Sequence, residues 1–228
     1  MSSATQIRRI YRKLAQTYGP LHWWPARTRF EVIVGAFLTQ NTSWKNVEHA
    51  LRNLRRAKVL NIAGIRNIAV DELEQLVRPS GYFRQKAARL KTFVSYLDRH
   101  NGGSLSRMFA RPLTSLRSEL LALNGVGPET ADAILLYAGK LPVFVVDAYT
   151  KRLFERHGIA SSTAKYEQLR AEVESAFSSS TGKSELADHF NELHALIVQV
   201  GKDYCGRTAK CDRCPLQPLL ARATAFKS

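Results

Sequence analysis

The chain has 228 residues, 45% of them hydrophobic, which is enough to bury the core of one large domain or of two lobes. It carries 34 lysines and arginines against 19 acidic residues, a formal charge of +15 at pH 7. This composition argues against a disordered chain, and the positive field indicates nucleic acid as the first partner to consider.

The sequence has no recognisable membrane segment. No apolar run approaches the roughly 20 residues that a spanning helix needs, and the first residues lack the apolar stretch of a signal peptide. We therefore expect an intracellular, cytoplasmic protein that does not bind a membrane.

Helical patterns run through nearly the whole chain. Residues 4–18 place apolar side chains at helical spacing, with basic residues on the other side. The apolar run Phe30–Leu38 is long enough for a buried helix, and Ser43 is a candidate cap for a helix over 44–57. The predicted fold class is therefore all-α.

Two stretches depart from this helical pattern. Val143–Val146 (VFVV) is too short and too isolated for a sheet, so we expect it to pack into the core before a helix that starts at Asp147. The serine-rich stretch 176–184 is predicted to be a flexible loop.

The sequence LNGVGPETADAIL, residues 123–135, predicts two helices joined by a turn with two glycines. Gly125, Val126 and Gly127 leave backbone N–H groups unpaired at the start of the second helix, and a glycine has no Cβ to keep a phosphate away. The helix dipole favours negative charge there, so the turn is suited to hold a phosphate backbone without reading sequence. An ordinary helix end and corner is the alternative interpretation.

Asp147 follows a buried apolar run and precedes a helical pattern. Taken alone, it is suited to cap that helix, a contribution of typically about 1 kcal/mol. Three cysteines, Cys205, Cys211 and Cys214, follow near the C-terminus at a spacing that suits a metal site better than a disulfide framework.

The hairpin, the aspartate and the cysteine cluster together resemble the helix-hairpin-helix DNA glycosylase superfamily, in particular its endonuclease III-like branch. The resemblance runs from about Trp23 to Cys214. It implies two helical lobes with a DNA-binding cleft between them.

The resemblance also implies where the two lobes begin and end. One is a helical barrel over residues 25–140 that carries the helix-hairpin-helix motif at 114–136. The other combines residues 1–24 with 141–228 and includes the C-terminal cysteine loop at 205–214.

The resemblance assigns the catalytic carboxylate to Asp147. Cleavage of an N-glycosidic bond builds positive charge on the sugar, and a fixed anion stabilises that charge while orienting water for attack. In bifunctional members a lysine near the start of the second hairpin helix forms a Schiff base, but here that position is Glu129, which cannot form an imine. The chain therefore resembles a monofunctional glycosylase, with Lys140 and Lys151 as alternative amines.

Two loops resemble the family segments that contact DNA around a flipped nucleotide. The loop TQNTSW assigns Gln40 to the space that the nucleotide leaves, and PSGYF makes Tyr82 a candidate wedge against the base stack. Ordinary loop side chains are the alternative for both residues.

Two tryptophans, Trp24 and Trp44, flank the first buried helix. The WWP sequence, and LTQNT with an aromatic residue shortly after it, resemble the 3-methyladenine DNA glycosylase subgroup. This resemblance implies that both indoles line the pocket of the flipped base, where a cationic alkylated purine would gain about 0.5–2 kcal/mol from an indole face. Core packing is the alternative.

Iron–sulfur members of this branch end in four cysteines, which bind a [4Fe–4S] cluster. The present chain has three, and the position of the fourth is Leu220, so a cluster is doubtful. Asp212 and His194 are the remaining candidate ligands, although neither is a family ligand. A cluster on three cysteines, a zinc site with a substitute ligand, and a metal-free loop remain the alternatives.

We therefore expect a DNA-associated, monomeric base-excision-repair glycosylase that hydrolyses the N-glycosidic bond of a flipped, damaged base. An alkylated purine is the expected base, and double-stranded DNA containing damaged bases is the expected partner. One alternative is a bifunctional glycosylase and AP lyase that acts on oxidised pyrimidines. The other is a non-catalytic helix-hairpin-helix DNA-binding protein, against which Asp147 argues because binding alone needs no carboxylate.

Overall fold

The computed structural model describes residues 2–21, 23–24, 26–177 and 182–220. Within these ranges the chain forms helices and loops without a β-strand, so the predicted all-α fold is confirmed. None of the described helices combines the length and apolarity needed to cross a bilayer. The centre of the predicted serine-rich loop, residues 178–181, lies outside the described residues.

The chain divides into two compact units, Trp24–Leu141 and the combination of Met1–Trp23 with Pro142–Ser228. In chain order the α-helices are α1 (Ser3–Tyr18), α2 (Arg29–Leu38), α3 (Trp44–Arg56), α4 (Ile62–Asn67), α5 (Val70–Val77), α6 (Phe83–Asn101), α7 (Leu105–Phe109), α8 (Leu113–Leu121), α9 (Pro128–Ala133), α10 (Ala148–Arg156), α11 (Tyr166–Phe177) and α12 (Lys183–Asp203).

Helix α2 is the centre of the unit Trp24–Leu141. Every residue from Phe30 to Leu38 is buried, and all of them except Glu31 are apolar, as expected for a helix in the core. Thr28 caps its start by accepting a hydrogen bond from the Glu31 backbone N–H at 3.1 Å. Helices α3, α6 and α9 pack around it.

Helix α3 starts where the sequence predicts, but the predicted cap is wrong in its chemistry. Ser43 has the extended backbone of a capping residue, yet its side chain makes no capping hydrogen bond. The helix instead buries Val47, Leu51 and Leu54, which recur on one face. Its position is therefore fixed by packing.

Helix α9 does not end as a regular α-helix. It continues into a π-helical turn over Ile134–Ala138, in which the Gly139 N–H donates to the Ile134 carbonyl at 3.1 Å. All five residues of this turn are buried. A Cβ on Gly139 would lie 2.5 Å from the Leu135 oxygen and 2.7 Å from the Phe109 ring, so glycine is needed to end the turn.

The second unit is built on the long helix α12. Helix α1 buries Ile7, Ile10 and Leu14 where it packs on α11 and α12. Helix α10 also lies against α12, so close that a Cβ on Gly201 would meet the Tyr149 ring at 2.2 Å.

Val143–Val146 is buried and non-helical, in agreement with the prediction that it packs into the core. Its backbone N–H groups find side-chain acceptors in place of a strand partner. Phe144 donates to a Glu174 carboxylate oxygen at 3.0 Å, and Val146 donates to the Tyr166 hydroxyl at 3.3 Å. These bonds hold the chain extended up to Asp147.

Candidate functional site

The hairpin is a tight connection between α8 and α9. Gly125 has a φ of +79°, which only glycine adopts without strain, and Val126 is buried beneath the turn. Gly127 precedes α9 with an extended backbone and no side-chain cap, and a Cβ built on it would meet nothing within 4 Å. The turn therefore presents backbone, and not side chains, to an approaching phosphate.

The predicted DNA-filling residue, Gln40, is bound to this hairpin. Its side-chain Nε2 donates to the Gly125 carbonyl at 3.1 Å and to the Thr130 hydroxyl at 2.8 Å. Its Oε1 accepts a hydrogen bond from the Arg89 guanidinium. The side chain would have to exchange these bonds to enter a duplex. Neither Thr130 nor Arg89 is predicted from the sequence, because their contacts with Gln40 bridge distant parts of the chain.

Tyr82 is the most exposed large hydrophobic side chain described, with 65% of its surface accessible. It follows Gly81 and adopts a left-handed backbone, φ 46° and ψ 34°, immediately before α6. A non-glycine residue in this conformation costs on the order of 1 kcal/mol or more, and no burial compensates here. An exposed, strained aromatic residue favours a contact function over a packing one.

Glu129 lies exposed in the first turn of α9, at the position that the resemblance assigns to a lysine. Asp132 follows in the same helix and is fully buried in a two-point ion pair with Arg117, at 2.7 and 3.0 Å. Of the two lysines considered as substitutes, Lys140 belongs to the unit that holds Glu129, and Lys151 belongs to the other.

Asp147 is half-buried at the start of α10, in the unit that does not contain the hairpin. Its Oδ1 accepts hydrogen bonds from the Thr150 backbone N–H at 2.8 Å and from the Thr150 hydroxyl at 3.1 Å. Its Oδ2 lies 3.6 Å from Nε2 of His194. The residue caps its helix with one oxygen and faces a histidine with the other.

Burial tends to raise the pKa of Asp147, but the neighbouring His194 and the two hydrogen bonds from Thr150 outweigh it and hold the pKa below its usual value. The group is therefore a carboxylate at neutral pH. His194 projects from α12, is 5% exposed and packs edge-on against Phe144 with ring centroids 6.2 Å apart. From the sequence alone His194 is only a candidate metal ligand, whereas the structure places it beside Asp147.

Trp24 and Trp44 are brought together in the unit Trp24–Leu141. Their ring centroids are 5.1 Å apart, and the rings meet edge to face at 88°. Trp24 also lies 5.1 Å from the Tyr137 ring at 38°, and a Cβ on Gly35 would approach it to 3.1 Å. Because the two indoles are perpendicular, they cannot sandwich a flat base, and a base would stack on one of them.

Trp44 also lines a groove of about 250 Å³ between α2 and α3. Its indole N–H donates to a Glu48 carboxylate oxygen at 3.1 Å. Deeper in, the buried Glu31 pairs with Arg55 at 2.7 Å. The groove is lined by Glu31, Trp44, Glu48, Leu51, Arg52 and Arg55.

The three cysteines surround a small cavity that Leu220 also lines. Burial raises the pKa of the Cys214 thiol, and Arg156 donates a hydrogen bond to the Cys205 sulfur at 3.1 Å. Within the described part of the chain, no three histidine, cysteine or acidic side chains are placed to hold a metal ion. With Leu220 at the fourth position, this set does not fit a four-thiolate [4Fe–4S] cluster.

An all-α fold with a glycine hairpin and an ionised aspartate at a helix start defines a class of DNA repair enzyme. Residues 34–179 match the family model of HhH-GPD superfamily base excision DNA repair proteins, and the chain belongs to that family. It is accordingly a DNA N-glycosylase.

The chain is 46% identical over 213 residues to a candidate DNA repair glycosylase of Methanocaldococcus jannaschii, covering 92% of this chain and 94% of that protein. The chain also resembles Helicobacter pylori 3-methyladenine DNA glycosylase, whose crystal structure was solved with bound 1,N6-ethenoadenine. The two sequences are 30% identical, and the structures superpose with a TM-score of 0.75 over 89% of this chain and 98% of the H. pylori chain.

A trapped covalent complex of endonuclease III with DNA has a TM-score of 0.78 and covers 96% of each chain. Its identity to this chain is 22%, so the likeness shows the shared fold alone.

Proposed function

We propose that this DNA glycosylase is monofunctional and that it excises alkylated purines from double-stranded DNA. The observation that carries the first part is Glu129, an exposed carboxylate at the hairpin position where bifunctional enzymes hold an amine. A carboxylate cannot form an imine with the sugar, so cleavage stops at the abasic site.

The proposed catalytic group is Asp147. As the bond between the sugar C1′ and the base nitrogen breaks, its electron pair leaves with the base and positive charge develops on the sugar. The Asp147 carboxylate stabilises that charge and orients a water molecule, whose oxygen forms the new bond to C1′ as one of its protons passes to the carboxylate. The environment that keeps Asp147 ionised serves this role, because the anion is needed before the bond breaks.

The low pKa of Asp147 also supports the proposed substrate class. A group held ionised is a poor general acid, so it is not suited to protonate a departing neutral base. A purine alkylated at N3 or N7 already carries positive charge and leaves as a neutral molecule. Such a base needs only the stabilising anion.

The surroundings of Trp44 support the same class. The Glu48 carboxylate that accepts from its indole N–H adds electron density to the ring, which strengthens its attraction for a cation. The related H. pylori enzyme, a 3-methyladenine DNA glycosylase, also binds a modified adenine. The proposal is that Trp44 stacks on the flipped base.

A panel of duplexes tests the proposal. We expect release of 3-methyladenine or 7-methylguanine, with strands that stay intact until alkali is added and no adduct trapped by borohydride. The Asp147→Asn variant is the control for contaminating activity. Release of oxidised pyrimidines with a trapped adduct would favour the bifunctional alternative, and release of mispaired thymine alone would contradict the substrate class.

Variants of Trp44 test the pocket. Trp44→Ala should lose about 1–3 kcal/mol in excision, the value of one contact between a base and an aromatic ring, and Trp44→Phe should restore much of it. The matched control is Trp23→Ala, which removes an indole from the other unit, where it lies 5.5 Å from the Lys202 ammonium. A fall in melting temperature that accounts for the whole activity loss would return Trp44 to a packing role.

A further inference from the structure

Helix α6 carries two cationic side chains, Lys86 and Arg89, that contact loops from other parts of the chain. Lys86 is 1% exposed, and its ammonium donates to the Leu38 carbonyl at 2.9 Å and to the Ser80 carbonyl at 2.6 Å. Leu38 ends α2, just before the loop of Gln40, and Ser80 lies just before Tyr82. One buried ammonium thus joins both predicted DNA-contacting loops.

Arg89 lies one turn further along α6, on the same face as Lys86. Its guanidinium donates to Oε1 of Gln40. It also fills the space beside Gly125, where a Cβ would lie 1.9 Å from Nε of Arg89. Arg89 therefore touches both the Gln40 loop and the hairpin.

The Gln40 amide completes the connection. Its Nε2 donates to the Gly125 carbonyl and to the Thr130 hydroxyl on α9. The contacts run without a break from the start of α6 through the Gln40 loop to the hairpin. We call Lys86, Arg89 and Gln40 the loop brace.

In the part of the chain that the structure describes, hydrogen bonds to carbonyl oxygens, and not ion pairs, hold these two cations in place. An ammonium taken out of water costs several kcal/mol unless hydrogen bonds compensate, and the Leu38 and Ser80 carbonyls supply those bonds to Lys86. Among the described residues, neither Lys86 nor Arg89 forms an ion pair with a carboxylate. What their directional hydrogen bonds supply is a fixed position for each loop.

We propose that Lys86 and Arg89 are positioning residues that hold the Gln40 loop, the Tyr82 loop and the hairpin as one rigid DNA-contacting surface. The phosphate grip of the hairpin then sets the register at which the Tyr82 and Gln40 loops meet the base stack, before the Gln40 side chain exchanges its bonds to enter the duplex. The brace affects the rate at which the bound duplex is opened and not the affinity for the duplex. This inference rests on the proposed DNA contacts of these loops and is independent of which base is removed.

The test uses the full chain and a duplex that carries a tetrahydrofuran abasic-site analogue opposite 2-aminopurine. Fluorescence of 2-aminopurine reports the rate of unstacking, and anisotropy of a labelled strand reports the Kd. Lys86→Met and Arg89→Met should slow opening by about tenfold or more, as expected for a lost hydrogen bond to a charged group. Their Kd should change no more than that of the controls.

Two matched controls lie on the same helix. Lys91→Met removes an ammonium that donates to the Arg66 and Ile68 carbonyls, and Arg84→Met removes a guanidinium whose side chain is 81% exposed. Each control variant loses one positive charge while the contacts of the loop brace stay unchanged. Opening rates in Lys86→Met and Arg89→Met that match these controls would overturn the proposal.

A double-mutant cycle between Arg89→Met and Gln40→Ala keeps the proposal testable if Lys86→Met does not fold. Because the two side chains act through one contact, the double variant should open the duplex no more slowly than the worse single variant. If the losses in opening rate of the two single variants added in the double variant, the proposal would be overturned. A parent protein that binds the duplex without unstacking it would contradict the DNA-contacting roles themselves.

Discussion

Two acidic residues stand at the starts of helices in the two units, and their surroundings differ. Asp147 caps α10 half-buried, with Thr150 on one oxygen and His194 near the other. Glu129 lies exposed in the first turn of α9. The helix dipole favours a negative charge at both positions, so an acid at a helix start is not by itself a catalytic group.

Burial makes the difference. The partners of Asp147 hold it ionised where water is partly excluded, so its charge acts at short range on a nearby cation. Glu129 is exposed, so solvent and salt screen its charge more strongly than that of Asp147. Substitutions should therefore have very different effects at the two helix starts.

The largest effect is expected at Asp147. Asp147→Asn keeps the shape of the side chain but removes the anion, so base excision should fall by roughly a hundredfold or more. Duplex binding should be retained or improved, because a charge that repels phosphate is lost. Single-turnover excision and anisotropy measure the two properties. Near-normal excision in this variant would remove Asp147 from the proposed role.

The hairpin that carries Glu129 should be sensitive in its backbone. Gly127→Ala adds a Cβ into open space at a φ of −90°, so the melting temperature should be unchanged. The affinity for duplex should fall about tenfold, because the new Cβ prevents the phosphate from approaching the backbone as closely. Gly125→Ala is the contrasting control: its φ of +79° and its contact with Arg89 predict a lower melting temperature. Unchanged affinity in Gly127→Ala would argue that the phosphate binds elsewhere.

His194 should set the acid limit of activity. In His194→Gln the burial of Asp147 remains while a neighbour that lowers its pKa is lost, so that pKa should rise. Because the carboxylate must be ionised for excision, the acid limb of the plot of excision rate against pH should move to higher pH. The stability that Asp147 contributes, which is lost as pH falls through its folded pKa, should also disappear at a higher pH than in the parent. An acid limb at the parent position would exclude His194 as a positioning residue.

The smallest effect is expected at Glu129. Glu129→Gln removes an exposed charge from the first turn of α9, where the interaction with the helix dipole contributes about 0.3–1 kcal/mol, and excision should stay within about twofold of the parent. Salt dependence of binding is the second readout, and its slope should hardly change. A loss comparable to that of Asp147→Asn would show that both helix starts take part in the chemistry.

The local parts of both sites could be predicted from sequence, because they depend on residues close together in the chain. A glycine at positive φ and an aspartate before a helix are signals of this kind. The partners could not be predicted: His194 and Arg89 reach Asp147 and Gln40 only after helices pack. Proximity of Trp24 and Trp44 followed from the family resemblance, but their perpendicular angle depends on side-chain packing against Gly35 and Tyr137.

The π-helical turn over Ile134–Ala138 has a consequence for how the aromatic cluster is specified. A π-turn holds one more residue than an α-turn, and each residue of an α-helix advances by about 100° around the axis. Deleting one residue from this segment would restore regular α geometry and rotate Tyr137 relative to the hairpin helix, away from Trp24. Which ring faces Trp24 therefore depends on the number of residues in this turn as well as on their type. A single insertion or deletion there is enough to change the aromatic cluster around Trp24.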